Sequence, residues 1–124
     1  MEWKKATAEV GAILDGAMRD FAHERRVMFG APCYFLNGNM YAGVYGDSVF
    51  VRVSPADRQE ALASGEGAAV LEPVPRRVMK DYVMVPPSAL TDAESLRSWL
   101  GRAFTYVSTV PPKEPAPRRA RKRS

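Results

Sequence analysis

The sequence is poor in residues that carry chemistry. It holds one cysteine, Cys33, and one histidine, His23, in 124 residues. A lone cysteine forms no internal disulfide, and one Cys with one His cannot build a zinc site. No apolar run approaches the ~18 residues a membrane span needs. The opening stretch MEWKKATAEV has neither an apolar core nor a small-residue cleavage site, so no secretory signal is expected there. A soluble cytoplasmic protein without membrane contact is the expectation. Gly65-Glu66-Gly67 lacks the third glycine and the strand–loop–helix setting of a phosphate-binding loop. Carboxylates stand singly, and Asp15, Asp20 and Glu24 near Arg19 and Arg25 read as a solvated charged face. Nucleophile, base and orienting group do not come together. The chain is therefore expected to be no enzyme, with no cofactor and no metal.

Charge is present but uneven. Residues 111–124 hold six basic side chains and one acid, whereas the other 110 residues hold 12 basic and 13 acidic ones. The body is nearly neutral, and the basic pI of about 9.5 belongs to the tail. Hydrophobic residues make up 46%, enough for a body of residues 1–110 to fold on its own core. The tail PPKEPAPRRARKRS is too polar to bury apolar area and is expected to be disordered.

The body reads as helix, three strands, helix, two strands, helix. The first helix is expected over roughly residues 4–25, because Val10, Ile13, Leu14, Ala17, Met18 and Phe21 recur at steps of three and four. Ser54-Pro55 reads as a cap and first turn for a helix over 56–63. Residues 68–72 form a weak strand interrupted by proline, and 79–85 a clearer one. Thr91 with Glu94 reads as a capping box for the last helix, whose stripe runs from Leu96 to Val107. Pro111-Pro112 ends it. The class is a two-layer α+β domain on an antiparallel five-stranded sheet, in the order α-β-β-β-α-β-β-α.

Turn chemistry predicts the sheet register. Asn37-Gly38 suits a two-residue hairpin with positive φ at both positions. It pairs Leu36 with Asn39, Phe35 with Met40, Tyr34 with Tyr41 and Cys33 with Ala42. Gly46-Asp47 pairs Tyr45 with Ser48 and Val44 with Val49. One face then collects Cys33, Phe35, Met40, Ala42, Val44, Val49, Val51 and Val53, a uniformly apolar core side. The other collects Tyr34, Leu36, Tyr41, Gly43, Tyr45, Phe50 and Arg52. On this register Cys33 is an inert core thiol.

Two candidate surfaces follow. The aromatic outer face, Tyr34, Tyr41, Tyr45, Phe50 and Arg52, has three readings. It stabilises the sheet through cross-strand pairs, it binds a protein partner or a second copy as a homodimer, or it stacks bases. In the tail, Lys113, Arg118, Arg119, Arg121, Lys122 and Arg123 suit weak, non-specific nucleic-acid contact.

Five short motifs occur in the order of a known family. Arg26-Val27-Met28-Phe29-Gly30 leads into a strand, and Asn37-Gly38-Asn39-Met40 turns it. Val49-Phe50-Val51-Arg52-Val53 and Met79-Lys80-Asp81-Tyr82-Val83 are later strands, and Leu96-Arg97-Ser98-Trp99-Leu100 precedes Pro111-Pro112-Lys113. Over about residues 20–113 the chain resembles the TfoX/Sxy N-terminal domain family of bacterial competence regulators. The resemblance implies a non-enzymatic domain acting in gene regulation through a protein partner. A nucleic-acid-associated protein working through its basic tail is the alternative.

Overall fold

Thr7 opens the first helix by accepting the Val10 amide on its hydroxyl at 3.3 Å. The computed structural model describes residues 7–28, 30–72, 76 and 78–112. Helix α1 spans Ala8–Met18, and its buried stripe is Val10, Leu14 and Met18. It is shorter than the 4–25 expected. The chain turns at Arg19 and Asp20 and re-enters the sheet as strand β1, Glu24–Met28. Phe21 keeps helical spacing but sits in the turn, packed against Phe104 at 5.9 Å. The apolar period therefore outlasted the helix.

Strands β2 (Ala31–Leu36), β3 (Asn39–Tyr45) and β4 (Ser48–Arg52) follow. Asn37 and Gly38 take φ of 54° and 82° in the first hairpin, the conformation expected of that pair. Helix α2 (Pro55–Ala63) is capped by Ser54, whose hydroxyl accepts the Asp57 amide at 3.1 Å. Strands β5 (Ala69–Val70) and β6 (Tyr82–Met84) are shorter than their sequence pattern suggests. A 3-10 turn over Pro87–Leu90 leads to helix α3, Ala93–Ser108. Asp92, not Thr91, caps α3, accepting the Glu94 and Ser95 amides, while the Thr91 hydroxyl donates to Ser88 O at 3.2 Å. A carboxylate at the positive end of a helix suits the macrodipole as well as the free amides.

The described strands form one antiparallel sheet in the order β1-β2-β3-β4-β6-β5. It has six strands rather than five, the sixth being β1. The α+β class stands.

The second hairpin has the expected register, with Tyr45 opposite Ser48 and Val44 opposite Val49. The first does not. Phe35 faces Met40, but Tyr34 faces Ala42 and Cys33 faces Gly43. Tyr41 is thus an extra residue in β3, a β-bulge. Beyond it every β2 residue changes its partner's parity.

The two faces re-sort accordingly. Tyr34, Tyr41, Ala42, Val44, Val49 and Val51 join one core under α1, α2 and α3, together with Leu14, Met18, Ala61, Leu96, Leu100 and Val107. Cys33, Phe35 and Phe50 lie on the opposite face with Leu71, flanked by Met40, Tyr45, Met79, Tyr82 and Met84. Fully burying a Leu or Phe side chain is worth about 1.5–3 kcal/mol, so the larger helical core carries most of the stability.

Gly43 is required where the second face closes. A Cβ there would collide with the tip of the Phe50 ring, which meets Tyr82 edge-on at 5.6 Å. Phe50 is fully buried. Gly43→Ala is expected to destabilise the fold by about 1–3 kcal/mol, the usual range for overpacking. Chemical denaturation measures it. A variant as stable as the parent would mean that the Phe50 ring does not occupy this place.

Candidate interaction surface

The five residues expected on one outer face are divided between two. Tyr34 and Tyr41 are 1% and 0% exposed and belong to the helix-covered core. That placement overturns their expected position, and the Tyr41 bulge is the physical reason. Phe50 is buried in the second cluster, and Tyr45 is half-buried at its margin. Arg52 is half-buried. Its guanidinium stands 3.8 Å from Asp81 and 5.9 Å from the centre of the Tyr106 ring. Its Nε is buried and has no hydrogen-bond partner among the described residues.

The tyrosines taken out of that face have another task. Tyr34 donates its hydroxyl to Asp15 on α1, and Tyr41 donates to Ala22 O at 2.7 Å. Asp15 also receives Arg25 of β1 at 3.1 Å. The His23 ring meets Tyr34 edge-on at 5.1 Å, and its Nδ1 lies 2.8 Å from Phe21 O. These contacts fasten the α1–β1 connection to the sheet. The carboxylates expected on one helix face are instead spread among partners: Asp15 on Arg25, Asp20 on Arg97 and Glu24 on Arg26. All are exposed or half-exposed pairs, worth at most about 1 kcal/mol each.

What the second face presents is apolar and rich in methionine. Met40 and Met84 are half-buried there, beside Phe35 and Tyr82. Met28 of β1 is 38% exposed and stands opposite Ala31, on the side shared with Cys33. Arg26 lies over the Phe35 ring at 4.6 Å, giving that margin a positive rim. Sequence pattern missed this surface because the unbulged register put Met40 and Phe35 in the core. Burial pushes the Cys33 thiol up to about 11, so it stays protonated at neutral pH. Among the described residues no three His, Cys, Asp or Glu side chains gather as a metal site, and no helix is long and apolar enough to cross a membrane. Lys113, Arg118, Arg119, Arg121, Lys122 and Arg123 lie outside the described residues, as does the expectation of tail disorder.

Burial also pushes the Tyr41 hydroxyl up to about 12, and the Tyr82 hydroxyl likewise, against the opposing charge of Arg52. An unfolded tyrosine releases its proton near pH 10. Between about pH 10 and 12 unfolding therefore releases protons, and stability falls as pH rises. With the Cys33 thiol raised in the same way, the denaturation midpoint is expected to be flat up to about pH 8 and to drop from about pH 9 upward. Tyr41→Phe, which cannot ionise, should flatten that drop while costing about 1 kcal/mol at neutral pH for the lost hydrogen bond. An unchanged alkaline slope in this variant would show that Tyr41 is not the buried titrating group.

The model of the TfoX N-terminal domain matches residues 22–106. No curated protein and no solved structure matches the chain. The match spans β1 through most of α3, and it covers both the bulged hairpin and the methionine-flanked face. That family is one of regulatory domains rather than a known enzyme family. By this match over more than half its length, the chain belongs to the TfoX N-terminal domain family.

Proposed function

We propose that this chain is a non-enzymatic, cytoplasmic regulatory domain that acts in bacterial gene regulation by docking a protein partner on the second face of its sheet. Family membership supports the regulatory role. One observation carries the choice of surface. Met28, Met40 and Met84 stand partly exposed around a small apolar cluster, on the face that α1, α2 and α3 leave uncovered. Methionine is unbranched and polarisable, so it adapts to partner surfaces of varied shape. Arg26 at the rim adds a residue type enriched where proteins meet.

The experiment replaces the chromosomal gene with one encoding Met40→Glu/Met84→Glu and compares transcripts with those of the parent and of a deletion strain. The variant should fold, since both side chains are half-buried, and its melting temperature serves as the control. The expected result is that the variant reproduces the transcript changes of the deletion. A folded variant that regulates like the parent would move the docking surface elsewhere. A deletion that changes no transcript would contradict the regulatory role itself.

A further inference from the structure

The sulfur of the described chain is gathered on one side of the sheet. Met40, Met79 and Met84 pack half-buried against the cluster of Cys33, Phe35, Phe50 and Leu71. Met28 stands 38% exposed on the same side of β1. Among the described methionines only Met18 lies in the helical core, where it is 0% exposed. Cys33, the one thiol, is 1% exposed.

These sulfurs differ in what an oxidant can reach. A thioether reacts without ionising, so its access decides its rate. A thiol reacts as the thiolate, and Cys33 is both covered and protonated at neutral pH. Met18 is covered as well. The second face therefore offers an oxidant its thioethers first and its thiol last.

Their spacing bears on anything seated there. Met28 is on β1 and Met84 on β6, four strand steps away in the sheet. At ~4.8 Å per step that is ~19 Å. Met40 lies between them on β3, directly across from Phe35, and Met84 is directly across from Phe50. A stable partner covers about 800 Å² of each surface, a patch wider than this row. A partner that covers the Phe35 and Phe50 cluster therefore covers thioethers too.

We propose that Met28, Met40, Met79 and Met84 are an oxidation site that switches the second face: hydrogen peroxide converts them to sulfoxides, and the face releases its partner. The switch rests on the reading of that face as a docking surface. In each conversion the sulfur lone pair takes one oxygen from the peroxide, the O–O bond breaks and water leaves. Sulfur loses two electrons and the peroxide gains them. A thiol-dependent reductase reverses the step: two thiols become a disulfide, and the sulfoxide oxygen leaves as water. A sulfoxide is a strong acceptor that water satisfies on a free face and an apolar contact does not. Met18, which packs the helical core, stays covered, so the fold outlasts the change.

The full chain, treated with hydrogen peroxide at neutral pH, is mapped by peptide mass spectrometry and run on a phenyl hydrophobic-interaction column. Met28, Met40, Met79 and Met84 should each gain one oxygen roughly tenfold faster than Met18, with Cys33 unmodified. The oxidised chain should elute earlier than the untreated one; unfolding would instead lengthen retention. Met28→Leu/Met40→Leu/Met79→Leu/Met84→Leu keeps similar side-chain volume and should hold its retention through the same treatment. In cells, peroxide should give the parent strain the transcript changes of the deletion strain and spare a strain carrying the leucine variant. Three results overturn the switch. They are Met18 or Cys33 oxidised as fast as the four, a retention shift absent from the parent or shared by the leucine variant, and a leucine strain that responds like the parent at the genes the deletion changes. A deletion that changes no transcript removes the regulatory reading instead, and the mass and retention data then decide the oxidation site.

Discussion

Tyr41 is one residue more than the β2–β3 pairing can use, and most of the architecture rests on where it goes. A strand that carries an extra residue twists and sends two successive side chains to the same side. Tyr41 and Ala42 both enter the helical core, and Tyr34 follows because it now faces Ala42. Two phenol hydroxyls thereby reach under α1. A buried hydroxyl without a partner costs about 1–3 kcal/mol, so each must find an acceptor. Asp15 and the Ala22 carbonyl supply them. The α1–β1 connection is held in place by the need to satisfy those two groups.

The same bulge creates the surface proposed for partner docking. With Tyr34 and Tyr41 withdrawn, the second face keeps Cys33, Phe35 and Phe50 as a small cluster, and the methionines become its margin. Gly43 leaves the Phe50 ring room against the backbone of β3. Packing therefore links one inserted residue in a strand to the chemical character of a face on the other side of the sheet. Regulation by contact needs an adaptable apolar surface more than it needs reactive groups. A protonated thiol and dispersed, arginine-paired carboxylates are consistent with that economy of chemistry.

Much of the fold was legible because local rules and tertiary packing agreed. Asn37-Gly38 turned as its φ preferences require, Ser54-Pro55 capped α2, and the stripe from Leu96 to Val107 faced the sheet. The errors arose where a local pattern was real but was used differently. Phe21 continued the helical period into a turn, since its ring packs on Phe104 whichever backbone carries it. Glu24-Arg25 looks like the polar end of a helix but opens the edge strand β1, where exposed charge guards against unwanted pairing. The candidate aromatic face failed for a subtler reason. Both possible registers gave a uniformly apolar core side, since the alternating residues on either face are mostly hydrophobic. Binary pattern could not distinguish them. The signal that does is the pair of hydroxyls at Tyr34 and Tyr41, whose acceptors lie far away in sequence.

Cross-strand proton contacts in the β2–β3 hairpin, read by nuclear Overhauser spectroscopy on the full chain, test the central claim most directly. The bulge predicts close α-proton or amide contacts from Tyr34 to Ala42 and from Cys33 to Gly43, with Tyr41 lacking a partner on β2. Contacts from Tyr34 to Tyr41 and from Cys33 to Ala42 would show an unbulged hairpin. They would return both tyrosines to the outer face and contradict this account of the core and of the docking surface together.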